Sequence, residues 1–401
     1  MPRTTDAVTM NNSPTVQLTG IGWDHTRGFV PKVATAQAFH DANPDIDIVW
    51  SRRTLHEFGH APVEELAAGF DLIVLDHPFV GELAARRLVH PLEEVLSPEE
   101  LEELASDSCG LSFSSYSWDD KSWAFPIDAA APAAVWHPGK LGEVPPPTDW
   151  SELLLLARSG RVILANFHAD CFLNWLGMTT AFGGKPGEAP DWVVERNVGT
   201  LAAECLFEIS RLADPRSIDT NPIAACRLLA SADPVAYCPM AFTYGVYGAS
   251  EYQNPPLKFG NPPSMGEGIP RTILGGTGLA ISTRCTGKAL EAAVGYARYI
   301  ASRDVQAGLY ISSGGQPARA SAWSAASAAN RGNGFFADTA GVMDRAIMRP
   351  RFQGFVAFQG SAGAHLQSYL RGEIGVADAL ERLDAAYRLA RSGTGAVNAS
   401  A

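Results

Sequence analysis

The stretch GIGWDHTRGFVP, residues 20–31, separates two different hydrophobic patterns. Before it, apolar residues alternate at Val16 and Leu18. After it, apolar residues recur at Val33, Ala36 and Phe39, which is the spacing of one helix face. The patterns predict a strand, a turn loosened by glycine and a helix. Ligands of open α/β sheets bind just beyond the carboxyl ends of the strands, so the side chains of this turn are candidates for a binding site.

A second strand end carries the same pair of polar residues. The apolar run Leu72–Leu75 leads directly into Asp76 and His77, as the first strand leads into Asp24 and His25. Two such strand ends predict a shared polar site. The alternative is structural, because an aspartate at the start of a helix accepts hydrogen bonds from the backbone N–H groups of the first turn.

Strand and helix patterns alternate from Val16 to Leu92. Further strands are predicted at Ile46–Trp50 and Leu72–Leu75, with helical spacing between them. This alternation implies a parallel sheet with right-handed crossovers. Ser97 and Glu100 then predict a capping box at the start of an acidic helix.

Aromatic side chains are concentrated in residues 112–136. They include Trp123, which precedes a strand pattern that carries Asp128. Two interpretations remain open for this segment. It lines a cleft and crosses between lobes, or it forms a hairpin that packs on the core.

Two later strand patterns also end in polar or aromatic residues. The run Val162–Leu164 is followed closely by His168 and Asp170. The strand pattern over residues 235–238 contains Tyr237 and leads into a loop with Tyr244. Both strand ends add candidates for the same site.

The composition limits the class of protein. A chain of 401 residues with 18% charged and 46% hydrophobic residues predicts a globular protein with two lobes or one large domain. The net charge of −12 argues against a nucleic-acid partner, because binding to phosphates requires a basic surface. The sequence has no run of eighteen consecutive apolar residues, so no membrane-spanning helix is expected.

The N-terminus and the cysteines predict the compartment. Residues 1–14 are polar and do not resemble a secretory signal. The six cysteines are scattered, and free thiols suit a reducing compartment. We therefore expect a cytoplasmic protein; removal of a leader would instead place it in the periplasm or at the cell surface.

Common catalytic and cofactor motifs are absent. The run Gly275-Gly276-Thr277-Gly278 does not match a dinucleotide or phosphate-binding loop. No metal-ligand spacing is present, so neither a metal nor a cofactor is expected. Of the cysteines, Cys109 and Cys238 are the candidates for a nucleophile.

The chain resembles the family 1 extracellular solute-binding proteins of ABC transporters from Val16 to Leu389. Several motifs in order carry this resemblance: WDH at 23–25 with Arg27 and Gly28, DLIVLDHP at 71–78, WAFPIDAA at 123–130, AYCP at 236–239, GGTGLA at 275–280, SGGQP at 313–317 and RPR at 349–351. The family is commonly assigned to carbohydrates.

The resemblance implies a two-lobed α/β fold of the type II periplasmic binding proteins. Each lobe would be a mainly parallel sheet flanked by helices, with a ligand cleft between the lobes and hinge motion closing it. Lobe 1 would take residues 16–125 and 272–335, and lobe 2 would take residues 126–271 and 336–395. Residues 1–15 and 396–401 would be flexible tails. A monomer is expected, with an ABC permease as partner if the protein is exported.

The sequence and the resemblance together predict a site for a small polar, carbohydrate-like metabolite. The expected ligand-binding residues are Trp23, Asp24, His25, Arg27, Asp76, His77, Trp123, Asp128, His168, Tyr237, Tyr244, Gly276 and Gln316. The alternative is a cytoplasmic enzyme on the same scaffold. In that case His25 or His77 would act as the base, and Asp76 would orient it.

Overall fold

The computed structural model describes residues 16–265 and 268–393. The predicted flexible tails, 1–15 and 396–401, lie outside the described residues. Within the described ranges the strands are β1 (Val16–Trp23), β2 (Ile46–Arg53), β3 (Leu72–Leu75), β4 (Ser117–Trp118), β5 (Lys121–Ser122), β6 (Phe125–Ala130), β7 (Pro132–Trp136), β8 (Tyr237–Phe242), β9 (Lys258–Gly260) and β10 (Gly275–Ile281).

The helices surround these strands in both halves of the molecule. They are α1 (Thr26–Ala42), α2 (Leu55–His60), α3 (Val63–Gly69), α4 (Val80–Arg86), α5 (Pro98–Ser106), α6 (Pro138–Leu141), α7 (Trp150–Arg158), α8 (Ala169–Ala181), α9 (Arg196–Leu212), α10 (Pro222–Ala230), α11 (Gly287–Ile300), α12 (Arg303–Val305), α13 (Ala320–Ala328), α14 (Phe335–Arg345), α15 (Phe355–Leu370) and α16 (Val376–Arg391). Among the described residues, none of the helices is long and apolar enough to cross a membrane.

A five-stranded sheet forms the centre of one lobe, which we call lobe 1. Its order is β2-β1-β3-β10-β6, with β1, β2 and β3 parallel and β10 antiparallel to both of its neighbours. Trp23 at the end of β1 pairs with Arg53 at the end of β2, and Asp76 follows the end of β3. The carboxyl ends of the parallel strands therefore meet at one edge of the sheet.

A three-stranded sheet in the order β8-β7-β9 forms the centre of the other lobe, lobe 2, and it is antiparallel throughout. The α/β class and the two lobes are as predicted, and four of the five strands of lobe 1 run in one direction, but the prediction of a mainly parallel sheet is wrong for lobe 2. The sheet of lobe 1 is mixed and that of lobe 2 is antiparallel. The reason is that β6 runs on into β7 and β10 returns from lobe 2, so these strands enter their sheets without the crossover helix that parallel pairing requires.

Separate apolar cores stabilise the two lobes. In lobe 1, Leu18 and Leu72 of the sheet pack with Tyr296 of α11. In lobe 2, Trp175 of α8 and Leu366 of α15 belong to a cluster that also takes in α9 and α16. The proposed residue boundaries of the lobes stay a prediction.

The local capping signals are partly as predicted. The Ser97–Glu100 capping box is present, with the Ser97 N–H donating to the Glu100 carboxylate at 2.8 Å. Asp76 accepts the backbone N–H of His77 at 2.9 Å, as the structural alternative supposed. At the first strand end, however, His25 caps α1 through Nδ1, which accepts the Arg27 N–H at 3.2 Å.

Candidate ligand cleft

A cleft lies between the carboxyl edge of the lobe 1 sheet and the loops of lobe 2. Its free volume is about 900 Å³, counting the part that is open to solvent. Its lining residues are Trp23, Arg27, Leu55, His56, Phe58, Gly59, His60, Asp76, Ala130, Phe167, His168, Ala169, Asp170, Leu173, Asn221, Pro222, Phe242, Tyr244, Gly275, Gly276, Thr277, Arg349 and Gln359.

A buried ion pair of lobe 1 lies at the floor of the cleft, and its arginine also bonds to lobe 2. Arg27 of α1 forms a two-pronged ion pair with Asp128 of β6, in which Nε donates to Oδ2 at 3.1 Å and Nη2 donates to Oδ1. Arg27 Nη1 also donates to the backbone carbonyl of Thr243 in lobe 2 at 2.6 Å. The Tyr244 ring covers the guanidinium, with 5.1 Å between its centroid and Cζ. All three nitrogens of the Arg27 guanidinium thus donate within the protein and stabilise the floor of the cleft.

A second charged network occupies the wall at the end of β3. Asp76 forms an ion pair with Arg349, whose Nη1 also donates to the side chain of Gln359 at 3.0 Å. His77 lies behind this pair, with Nδ1 3.1 Å from Asp76 and Nε2 accepting the Arg349 N–H at 3.4 Å. Burial raises the pKa of Asp76, but Arg349 and His77 outweigh burial and lower it to about 2. Asp76 is therefore an anion at neutral pH.

Three histidines from both lobes meet at the mouth of the cleft, and we call them the mouth histidines. The rings of His56 and His60 on α2 stack with their centroids 4.5 Å apart, and His168 at the start of α8 is 5.6 Å from His56. Burial and the neighbouring rings lower the pKa of His60 and His168. Among the described residues, no group of three or more histidine, cysteine, aspartate or glutamate side chains is arranged to hold a metal.

Several polar atoms of the lining have no hydrogen-bond partner among the described residues. They are Nε1 of Trp23, Oγ1 of Thr277 and Nε of Arg349, and all three residues are almost completely buried. Because a buried polar atom without a partner is unfavourable, these atoms mark positions where a polar molecule would gain hydrogen bonds once the side chains of the lining move to expose them.

The structure brings together six of the thirteen predicted ligand-binding residues. The six that line the cleft are Trp23, Arg27, Asp76, His168, Tyr244 and Gly276. The other predicted residues, which are not among the lining residues, are Asp24, His25, His77, Trp123, Asp128, Tyr237 and Gln316. No bound molecule tests these assignments, so a ligand-binding role for each residue stays a prediction.

Two of the residues outside the lining support it from behind. Asp128 holds Arg27, and Gln316 donates to the Ala129 carbonyl at 2.9 Å while accepting the Gly245 N–H at 2.8 Å. Both therefore stabilise the strands and loops that border the cleft.

The remaining residues lie in the cores or on the surface. Trp123 is buried and donates its indole N–H to the Trp118 carbonyl at 2.9 Å, and Tyr237 is buried in the core of lobe 2. Asp24 is exposed and pairs with Arg52 at 3.0 Å. The ring of His25 packs edge-on against Tyr244, with the centroids 4.5 Å apart.

Important lining residues were absent from the predicted set. Asp170 follows a predicted strand end and Arg349 lies in a motif shared with the resembling family, so the sequence carried a signal for both. The sequence carried no signal for Phe58 and the histidines of α2, because their position in the cleft depends on how α2 approaches lobe 2.

The comparisons with known proteins agree with this architecture. No known family matches the chain, and neither does any curated protein. Three solved structures resemble it over almost its whole length. Maltose-bound MalE3 of T. maritima is 17% identical, with a TM-score of 0.80 and coverage of 93% of this chain and 99% of that chain.

The other two are ABC transporter solute-binding proteins. The Thermotoga lettingae TMO protein, bound with alpha-D-tagatose, is 17% identical with a TM-score of 0.81, and covers 94% of this chain and 100% of its own. The Agrobacterium radiobacter K84 protein, in complex with ribitol, is 17% identical with a TM-score of 0.80. The match covers 94% of this chain and 99% of that protein. The chain therefore has the two-lobed α/β fold of the ABC-transporter solute-binding proteins.

Proposed function

We propose that this chain binds a small, polar, carbohydrate-like metabolite in the cleft between its lobes. The cleft itself carries this proposal, because it combines the aromatic surfaces of Trp23 and Tyr244 with unpartnered polar atoms such as Thr277 Oγ1. Such a lining offers apolar contact to the ring of a sugar and hydrogen bonds to the hydroxyl groups of that sugar. The maltose, tagatose and ribitol held by solved structures of the same fold support this ligand class.

The test is calorimetry and thermal unfolding with a panel of sugars and polyols that includes maltose, tagatose and ribitol. At least one member should bind and raise the melting temperature, because a ligand that binds only the folded state stabilises it. Thr277→Val preserves the side-chain shape and removes the cleft hydroxyl, so it should weaken that binding about tenfold.

Thr272→Val is the matched control. The Thr272 hydroxyl is also buried and unpartnered among the described residues, but Thr272 does not line the cleft. This variant should bind as the unchanged protein does. Absence of binding across the panel, or an equal effect of the two substitutions, would contradict the proposed function.

The acid–base alternative is not favoured by the geometry of its histidines. Burial, aided by Arg27, lowers the pKa of His25 to about 3, and burial with Arg349 lowers that of His77 to about 4. Both rings lie outside the cleft lining, and both nitrogens of His77 face Asp76 or the backbone of Arg349. Burial also raises the pKa of Cys238 to about 12, which opposes formation of a nucleophilic thiolate.

We also propose that the protein is a monomer in the cytoplasm. Its six free cysteines support a reducing compartment. Fractionation of the host and light scattering of the purified chain test the two statements. Recovery in an exported fraction would contradict the cytoplasmic location and would make an ABC permease the expected partner.

A further inference from the structure

The charges that line the cleft do not balance. Its acidic and basic side chains are Arg27, Asp76, Asp170 and Arg349. Arg27 is paired with Asp128, and Arg349 is paired with Asp76. Among the described residues, the Asp170 carboxylate has neither an ion pair nor a side-chain hydrogen bond. One carboxylate thus remains in the cleft without a counter-charge.

The positive groups near Asp170 have other partners, carry only a partial charge or are neutral. Arg349 donates through Nη1 to Gln359 and through Nη2 to Asp76, and it forms no hydrogen bond with Asp170, although its charge opposes the rise of the Asp170 pKa. The N-terminus of α8, where Asp170 lies in the first turn, supplies only about half of an elementary charge. Burial lowers the pKa of His168, so this adjacent ring is neutral at pH 7.

The position of Asp170 is firmly fixed by its surroundings. Its backbone N–H donates to the Phe167 carbonyl at 3.0 Å. Helix α15 packs against the preceding turn so closely that a Cβ atom on Gly363 would lie 2.3 Å from the His168 carbonyl oxygen. The backbone at Asp170 is therefore restrained by the Phe167 carbonyl and by α15.

The surroundings of Asp170 suit a cation. Burial raises the pKa of its carboxyl to about 8, against the opposing effect of Arg349. Of the aromatic rings in the lining, Trp23 and Tyr244 already lie against Lys32 and Arg27, whereas no arginine or lysine lies over Phe167 among the described residues, and aromatic faces attract cations. A ligand with a positive group would keep Asp170 ionised.

We infer that the ligand of this cleft is an amino sugar or amino polyol, whose protonated amine is bound by the unpaired carboxylate of Asp170 among the aromatic rings of the lining. This inference rests on the proposed function and narrows its ligand class. Neutral sugars would leave Asp170 protonated and would form no ion pair with it, so they should bind more weakly.

Matched sets of probes test the inference by calorimetry at pH 7. Each set contains a neutral sugar, its 2-amino form and its N-acetyl form, built on glucose, galactose and mannose, with cellobiose and the disaccharide of glucosamine as a longer pair. In at least one set the amino form should bind ten times more tightly than both neutral forms. Equal affinity within every binding set would overturn the inference and leave the proposed function standing. No binding in any set would overturn the inference, and the panel of sugars and polyols would still decide the proposed function.

Asp170→Asn tests whether Asp170 causes the preference for the amino form, and Asp219→Asn is the control variant. Asp219 is an exposed carboxylate near His168 that does not line the cleft. Asp170→Asn should remove the preference for the amino form and leave the affinity for the neutral form within threefold. Asp219→Asn should keep the preference. An amino preference that survives in Asp170→Asn would overturn the role of this residue.

A second readout does not depend on affinity. Because Asp170 is mostly protonated at pH 7 in the free cleft and ionised beside an amine, binding should release nearly one proton. Calorimetry in two buffers of different ionisation enthalpy measures that proton, with the N-acetyl form as the reference. Asp170→Asn should release none. Release of the same proton by Asp170→Asn would contradict the assignment.

Discussion

The two polar residues of the first turn, Asp24 and Arg27, show how burial decides what a charge contributes. Arg27 is buried in its ion pair with Asp128, whereas Asp24 is exposed and paired with Arg52. A buried charge that loses its partner is strongly unfavourable, whereas an exposed ion pair contributes little because water screens it. Residues that are neighbours in sequence therefore have very different effects on stability.

Substitution of the two aspartates should reveal this difference. Asp128→Ala leaves the Arg27 guanidinium buried and unpaired, so we expect it to reduce the free energy of unfolding by about 3–5 kcal/mol. Asp24→Ala is the control and should change it by no more than about 1 kcal/mol. Denaturant unfolding measures both values. Similar losses for the two variants would show that Arg27 finds another partner.

His77 should make stability depend on pH. Its pKa is lowered by burial from 6.5 to about 4, so the unfolded chain binds this proton at a higher pH than the folded protein does. The contribution of the neutral ring is complete above pH 6.5 and is lost as the pH falls towards 4. Between pH 6.5 and 4.5 the expected loss from this one group is about 2 kcal/mol.

His77→Gln isolates that contribution. The amide can donate to Asp76 and accept the Arg349 N–H, but it does not titrate. The free energy of unfolding of this variant should fall by about 2 kcal/mol less than that of the unchanged protein over the same pH range. Parallel pH profiles for the two proteins would mean that His77 titrates normally in the folded state.

At the scale of the element, β10 depends on a glycine where it borders the cleft. Gly276 has a φ of +103°, and a Cβ atom there would lie 2.2 Å from the Asp128 carbonyl oxygen. The register of β10 against β6 shifts immediately afterwards, between Thr277 and Gly278. The glycine thus permits the close backbone approach with which β10 enters the sheet.

Gly276→Ala should therefore reduce the free energy of unfolding. Backbone strain contributes about 1–3 kcal/mol, and the overlap with the Asp128 carbonyl adds about as much again. Gly287→Ala provides the control, because Gly287 also has a positive φ of +53° but a Cβ atom added there would have no neighbouring atom within 4 Å. Gly287→Ala should reduce the free energy of unfolding only through backbone strain, by about 1–2 kcal/mol. Equal melting temperatures for the two variants would contradict the steric argument.

At the scale of the whole molecule, we expect the packing of the mouth histidines to make the cleft sensitive to pH. His56 and His60 approach from lobe 1, and His168 approaches from lobe 2. The charged groups around them are Arg53 and Glu57 beside α2, and Asp170, Asp219 and Arg371 beside His168. Because the pKa of His60 and of His168 is lowered, protonation opposes the arrangement in which the rings are packed together.

Acidification should therefore open the cleft. We expect the radius of gyration measured by small-angle X-ray scattering to increase between pH 7.5 and pH 5. The triple variant His56→Gln, His60→Gln, His168→Gln should show a smaller increase, because its side chains carry no charge at either pH. An identical increase in the triple variant would assign the opening to other groups.

The sequence by itself determined the local elements and much of the architecture. Strands β1 and β3 and the Ser97 capping box were predictable, because alternation and capping act over a few residues. The two-lobed α/β class was predicted from the resemblance to the solute-binding proteins. The parallel pairing of β1, β2 and β3 was also predicted, but the antiparallel pairing of β10 was not, since β6 and β10 pass between the lobes and receive their orientation from the path of the chain.

Only the tertiary structure decided which side chains form the cleft. Asp76 and Arg349 are 273 positions apart in sequence, and Arg27 and Asp128 are 101 positions apart. The pattern around Asp24 resembles that around Asp76, yet one side chain is exposed and the other lines the cleft. Local patterns identify a strand end, but burial and pairing depend on which distant segments pack against it, and this is why the unpaired charge of Asp170 becomes visible only in the folded protein.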